Sequence, residues 1–134
     1  RRRAVTSPER PPTTHALAAH AVVLLSAEWA GPSGPAPTVL RELSRRWGSS
    51  VHTVLVEDPD DELLELWDVD MLPTWLRFTP GEPLDDEAAL TVTHLSGAGP
   101  GGDALHLEGP WTLTYRRSGA LPKHVVETEF GPQL

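Results

Sequence analysis

The chain has 134 residues, of which 39% are hydrophobic and 22% are charged, with a formal net charge of −8 and no cysteine. This length suits one domain that needs no metal or disulfide to stabilise its core, and the negative charge argues against a nucleic acid or an anionic membrane as partner. No apolar run approaches the roughly 20 residues of a membrane span, and the lack of cysteine excludes disulfides, thiolate metal ligands and thiol chemistry.

The N-terminal part predicts a buried strand followed by an amphipathic helix. We expect a short edge strand at residues 1–6, a proline-rich connection at 7–14 and a helical turn at 15–20. The run HAVVLLSAEW is continuously apolar and rich in β-branched residues, which is typical of a strand covered on both faces. In PTVLRELSRRW the apolar residues share one helical face, proline stands in the first turn, and Gly48 ends the helix.

The same region superficially resembles a secretory signal, because the basic RRR precedes the apolar stretch ALAAHAVVLLSAEWA. However, His15 and His20 interrupt that stretch, and cleavage after it would remove a central strand. We interpret the stretch as part of the fold rather than as a signal. The lack of cysteine is compatible with any compartment, and we predict a cytoplasmic protein.

The remaining sequence alternates strands and helices. VHTVLVE predicts a strand, and DPDDELLELWDV predicts a helix with acidic residues at its N-terminus. PTWLRF predicts a strand that begins at Pro73, because proline cannot donate a hydrogen bond within a sheet. ALTVTHL and WTLTYRR alternate apolar and polar residues, as strands with one wet face do, and LPKHVVETEF predicts a closing helix before a tail at 131–134. This order predicts one α/β domain with a parallel core and a final antiparallel hairpin.

Several polar and aromatic residues are candidates for either a site or a structural role. Between residues 57 and 87 lie twelve acids and one base, Arg77, which indicates either a solvated face or a surface for a basic partner. The histidines lack metal-ligand spacing, although His94 and His106 are expected to approach across a hairpin, so we predict no metal and no cofactor. The acids at 60–62 are interpreted as a helix N-terminus rather than a calcium site. Trp47 and Trp67 are predicted to be core, whereas Trp75 and Trp111 are assigned to either core or rim.

Three segments together resemble the thioredoxin family. AEWAGPS, between a buried strand and a helix, is similar to the family's Ala-Glu-Trp-Cys-Gly-Pro-Cys. VEDPDDELLELWDVDMLPT resembles the family's strand, helix and turn that lead to a cis-proline and a threonine, and SGALPK resembles the entry to its last helix. The resemblance implies a thioredoxin-like three-layer sandwich, with a mixed central sheet and flanking helices.

One segment is longer than the resemblance implies. The family has a tight turn between its last two strands, whereas this chain has an enlarged loop or hairpin insertion near 79–110. We interpret 91–95 and 104–108 as a possible extra hairpin. Long connections in compact domains are usually functional or disordered, so the insertion is either a partner-specific arm or a tolerated addition.

The active-site positions depart from the resembled family. Ala30 and Ser33 stand where the family has its two cysteines, and Leu24 stands where it has a buried aspartate that accepts a proton. Without a thiolate and a resolving thiol, this chain cannot exchange disulfides, and no base adjoins Ser33 to activate its hydroxyl. Two explanations remain: natural loss of the redox site, or a thiol-disulfide oxidoreductase whose cysteines have been replaced. We favour natural loss, because Leu24 and a shortened spacer before the helix would not be introduced merely to disable a thiol.

The resemblance implies a peptide-binding groove that does not depend on the thiols. Its predicted residues come from the active-site turn, the cis-proline loop and the loop before the last helix: Trp29, Gly31 and Pro32; Met71, Leu72 and Pro73; and Gly119 and Ala120. Trp29, Met71 and Leu72 are expected to form an apolar rim, and the backbone of Leu72 to pair with an extended peptide. The alternative is that Trp29 and Pro73 only preserve the fold. We therefore predict a redox-inactive module that binds a protein or an extended peptide in a chaperone-like or assembly-accessory role.

Overall fold

The structure, a computed structural model, describes residues 20–27, 34–81 and 90–132. The strands and helices of these ranges are β1 His20–Ser26, α1 Ala36–Trp47, β2 Val51–Glu57, α2 Asp61–Leu66, β3 Thr74–Pro80, β4 Thr91–Ala98, β5 Ala104–Ser118 and α3 Lys123–Phe130. The strand expected at 1–6, the connection at 7–14 and all but the last residue of the turn expected at 15–20 lie outside the described residues.

Strand β1 occupies the middle of the sheet. It pairs in parallel with β2, from His20 opposite Val51 to Ser26 opposite Glu57. On its other side it pairs antiparallel with β3. Residues 21–25 are buried on both faces, and this confirms the prediction made from the uninterrupted apolar run, because only a central, doubly covered strand can bury consecutive side chains.

The prediction of a parallel core is correct for β1 and β2 but wrong for β3. Strand β2 ends beside Ser26 and β3 begins beside Leu25, so both lie at the same end of β1. Helix α2 has six residues and is therefore about 9 Å long. A seven-residue strand such as β1 is about 23 Å long. Helix α2 is too short to return the chain to the opposite end of the sheet, and β3 therefore runs antiparallel to β1.

Most of the described part of residues 79–110 belongs to the sheet. Strand β4 pairs antiparallel with β5 from Thr91 opposite Thr112 to Ala98 opposite Ala104. The hairpin predicted from 91–95 and 104–108 is thus confirmed, but it is not separate from the last strand. Strand β5 runs for 15 residues, and its second half also pairs with β3.

The long hairpin closes the sheet. Ala98, at the end of β4, pairs with Leu55 of β2, so the strand order β1-β2-β4-β5-β3 returns to β1 as a closed barrel. The neighbouring Gly97 makes this approach possible, because a Cβ at that position would lie 2.5 Å from the carbonyl oxygen of Leu55.

Helices cover both faces of the sheet. Helices α1 and α3 pack on one face, in a cluster that consists of Val22, Leu24, Ala36, Leu40, Leu43, Trp47, Val51, Trp75, Val126 and Phe130. On the opposite face, Leu63 and Leu64 of α2 pack against a second cluster that includes Val23, Leu25, Trp67, Leu76, Phe78 and Trp111. The prediction that Trp47 and Trp67 are core is confirmed, and Trp75 and Trp111 are also buried. The fold is α/β with a mixed sheet and flanking helices, as predicted.

Helix α1 follows the predicted pattern closely. Its buried residues recur every three to four positions, as expected for one face of a helix. A proline stands in its first turn, and Gly48 ends the helix with a φ of 58°, a backbone conformation that glycine adopts most readily. In the part of the chain that the structure describes, no helix is long and apolar enough to cross a membrane.

Candidate functional site

The loop before β3 presents an exposed methionine beside a cis peptide bond. The Leu72–Pro73 bond is cis, and the Met71 side chain is 54% exposed. The hydroxyl of the buried Thr74 donates a hydrogen bond to the Met71 carbonyl oxygen at 2.5 Å and lies 2.9 Å from the Ser118 hydroxyl. These bonds fix the loop against the end of β5.

Leu72 differs from its predicted role in the rim. Its side chain is 9% exposed and belongs to the second core cluster. An apolar side chain at this position gains more from burial between the sheet and the turn after α2 than from exposure at the surface. The Leu72 side chain is therefore not part of an exposed rim, and its remaining predicted contribution is its backbone.

The loop before α3 lies against the Pro73 loop. The Gly119 amide donates a hydrogen bond to the Pro73 carbonyl oxygen at 2.8 Å. Gly119 has a φ of 102°, which a residue with a side chain rarely adopts. Ala120 follows on the exposed side of this turn. The structure thus brings together two of the three predicted groove segments, residues 71–73 and 119–120.

The N-terminal end of α1 lies close to the loop before α3. A cavity of about 300 Å³ is lined by Pro35, Ala36, Val39, Ala120, Leu121, Pro122 and Lys123. Its walls are thus the first turn of α1 on one side and the entry to α3 on the other. The third predicted segment, with Trp29, Ala30, Gly31, Pro32 and Ser33, lies outside the described residues, although α1 begins directly after it.

The position beneath the head of α1 is apolar. Leu24 is fully buried and packs in the same cluster as Ala36 and Leu40. The side chain that stands where the resembled family has an aspartate therefore fills the core and has no group that can accept a proton. Nucleophilic sulfur is also excluded, because the sequence contains no cysteine.

The acidic segment contributes one helix cap and an exposed surface. An oxygen of the Asp60 carboxylate accepts a hydrogen bond from the Leu63 amide at 2.9 Å, which confirms the predicted helix N-terminus. Within residues 57–70, the acidic side chains at 57, 58, 60–62, 65, 68 and 70 are all exposed. Leu66, 66% exposed, lies among them.

The predicted approach of His94 and His106 is confirmed. Their rings stack across β4 and β5 with centroids 4.9 Å apart, and His106 also contacts Glu108 at 2.6 Å. Among the described residues, no group of three or more histidine, aspartate or glutamate side chains is arranged to hold a metal ion.

Arg116 is a supporting residue that the sequence did not reveal. Its guanidinium donates hydrogen bonds to the carbonyl oxygens of Trp67 and Asp68, at the end of α2. These bonds tie β5 to the turn that leads into the Met71 loop. No local pattern indicated this role, because arginine is common on the solvent-exposed face of a strand.

The comparison with known structures agrees with this architecture. The chain is similar to the crystal structure of the germline-specific thioredoxin Deadhead (Thioredoxin-1) from Drosophila melanogaster, with a TM-score of 0.51 and 17% sequence identity. The similarity covers 84% of this chain and 79% of that chain. No protein-family model matches the sequence, and no curated protein matches it. The chain therefore has a thioredoxin-like fold and contains no cysteine for thiol chemistry.

Proposed function

We propose that this protein is a redox-inactive module that binds an extended segment of a partner protein. The observation that carries the proposal is the hydrogen bond from Gly119 to Pro73, which joins the Met71–Pro73 and 119–120 loops into one surface beside the head of α1. A surface built from loops on a rigid scaffold is the common arrangement of a binding site.

The exposed Met71 supports a binding role. A large apolar side chain gains free energy when it leaves water, and methionine adapts its shape to different partners because it is unbranched and polarizable. The cavity between α1 and α3 has a volume of about 300 Å³, at the lower end of small-ligand pockets. It therefore suits one side chain of a peptide better than a large cofactor.

The chemistry of the chain favours docking over catalysis. A thioredoxin-like fold without cysteine retains a surface beside the helix but has neither the thiolate nor the resolving thiol of disulfide exchange. We propose a chaperone-like or assembly-accessory role, with a protein rather than a nucleic acid as partner, because a net charge of −8 repels polyanions.

A peptide selection tests the proposal. A random peptide library is displayed on phage and selected on the immobilised chain, and the affinities of the selected peptides are then measured by fluorescence anisotropy. We expect Met71→Ser and Trp29→Ala to weaken binding by about fivefold to thirtyfold, equivalent to about 1–2 kcal/mol for an interface anchor. Leu66→Ser is the matched control, because it removes an exposed apolar side chain from α2 instead of the Pro73 loop.

Two outcomes would contradict the proposal. One is that no peptide binds the correctly folded chain in the selection. The other is that Leu66→Ser weakens binding as much as Met71→Ser, because the binding would then not depend on the Pro73 loop. Circular dichroism spectra of all variants establish that each is folded.

We also propose that the protein acts in the cytoplasm. A fluorescent fusion expressed in the source organism tests this location, with fluorescence expected throughout the cytoplasm. Fluorescence at a membrane or in the medium would contradict it.

A further inference from the structure

A cavity with both polar and apolar lining lies on the side of α1 that faces the closing hairpin. It has a volume of about 500 Å³ and is lined by residues of α1, of β2 and of the turn between β4 and β5. The lining residues are Pro37, Leu40, Arg41, Ser44, Arg45, Thr53, Leu55, Glu57, Ala98, Gly99, Pro100, Gly101 and Gly102. It shares no residue with the cavity at the head of α1, and it exists because the hairpin reaches β2.

Two arginines form one wall of this cavity. Arg41 and Arg45 are one helical turn apart on α1, both are exposed, and both line the cavity. Like charges at this spacing repel each other. Among the described residues, the ion pairs use Arg46, His106, Arg117 and Lys123, and neither Arg41 nor Arg45 forms one. Within the described ranges, two neighbouring cations that form no ion pair thus lie together in a protein that is acidic overall.

The other residues that line the cavity add hydroxyl, apolar and acidic groups. Thr53 of β2 is 3% exposed and lines the cavity. The Ser44 hydroxyl is already used, because it donates to the Arg41 carbonyl oxygen at 2.7 Å. Leu40 and Leu55 supply apolar surface, and Glu57 contributes one carboxylate.

We propose that this cavity binds a small organic phosphomonoester. A phosphate dianion balances the charges of two arginines, and its oxygens accept hydrogen bonds from both guanidinium groups and from a hydroxyl. The volume falls within the range of small-molecule sites and exceeds the space that one phosphate needs, so the remainder accommodates an organic group against Leu40 and Leu55. This site is independent of the peptide surface proposed above.

Titration by nuclear magnetic resonance tests the site. The full chain, labelled with nitrogen-15, is titrated with phenyl phosphate, inorganic phosphate and benzoate at constant pH and ionic strength. We expect saturable changes in the amide signals of Gly99, Gly101 and Gly102, with phenyl phosphate binding more tightly than inorganic phosphate because its ring contacts the apolar wall. Benzoate, a carboxylate of similar size, is expected to bind more weakly than phenyl phosphate.

Single substitutions in the cavity are expected to change the affinity for phenyl phosphate in opposite directions. Arg41→Gln and Arg45→Gln are each expected to weaken phenyl phosphate binding about tenfold, as the loss of a charge-assisted hydrogen bond predicts. Glu57→Gln removes a repelling carboxylate and is expected to strengthen binding. Arg46→Gln is the matched control, because it removes the same charge from the same helix, but Arg46 pairs with Glu127 and does not line the cavity.

The proposal is overturned if no saturable shifts occur at the amides of Gly99, Gly101 and Gly102. It is also overturned if Arg46→Gln weakens binding as much as Arg41→Gln, since the attraction would then be a general effect of charge. Equal binding of benzoate and phenyl phosphate would reject a phosphate as the ligand.

Discussion

Replacing Gly97 with alanine tests whether β4 closes the sheet on β2. A Cβ at this position would lie 2.5 Å from the Leu55 carbonyl oxygen and 2.7 Å from Cγ1 of Val54. The carbonyl belongs to the backbone and cannot rotate away, so β4 must move from β2 or both strands must distort. Overpacking of this kind costs about 1–3 kcal/mol. We expect Gly97→Ala to lower the free energy of unfolding by about 2–3 kcal/mol, a large part of the 5–15 kcal/mol typical of a domain.

Gly101→Ala is the matched control for this experiment. A Cβ at Gly101 would meet no atom within 4 Å, and its φ lies outside the positive range that favours glycine. We expect no loss of stability, or a gain of up to about 1 kcal/mol from the reduced entropy of the unfolded chain. Unfolding in urea, followed by tryptophan fluorescence, measures both variants. A Gly97→Ala variant as stable as Gly101→Ala would refute the closure of the sheet through this contact.

Two further predictions concern a half-buried histidine and a helix cap. Burial lowers the pKa of His20 below its ordinary value of 6.5, although its hydrogen bond to the Phe130 carbonyl oxygen opposes the shift. The unfolded chain therefore takes up this proton at a higher pH than the folded chain, and stability should fall as the pH drops through about 6.5. His20→Gln should flatten this dependence in urea unfolding between pH 5 and 8, whereas an unchanged slope, or the same flattening in the exposed His124→Gln, would argue against it. Asp60→Ala should lower the free energy of unfolding by about 1 kcal/mol through loss of the bond to Leu63. Asp60→Asn should lose little, and equal losses in thermal or urea unfolding would contradict a capping role.

Local patterns predicted most of the helices and strands, because the spacing of apolar residues along a short segment indicates which of its faces is buried. The run at 20–26 predicted a doubly covered strand, and the spacing of Leu40, Leu43 and Trp47 predicted the buried face of α1. The direction of β3 was missed because it depends on the length of α2, which acidic and leucine residues indicate only loosely. The closure of the sheet was missed for a different reason: it depends on a contact between Gly97 and Leu55, and no local pattern encodes the distance between them.

The candidate site was predictable in part. The resemblance placed residues 71–73 and 119–120 in one groove, and the structure brings these two loops together through a hydrogen bond. The burial of Leu72 was not foreseen, because an apolar residue beside an exposed methionine has no sequence signal that distinguishes core from rim. The cavity with Arg41 and Arg45 was not foreseen either, since its second wall comes from a hairpin turn more than fifty positions further along the chain.

The central position of β1 has a consequence for how the chain folds. Its neighbours are distant in sequence, because His20 pairs with Val51 of β2 and Ala21 pairs with Phe78 of β3. Strand β3 in turn pairs with β5, where Thr74 lies opposite Ser118. A high contact order of this kind slows folding, because closing a large loop lowers the conformational entropy of the chain before the stabilising contacts form. During synthesis, β3 therefore lacks one neighbour until β5 has left the ribosome.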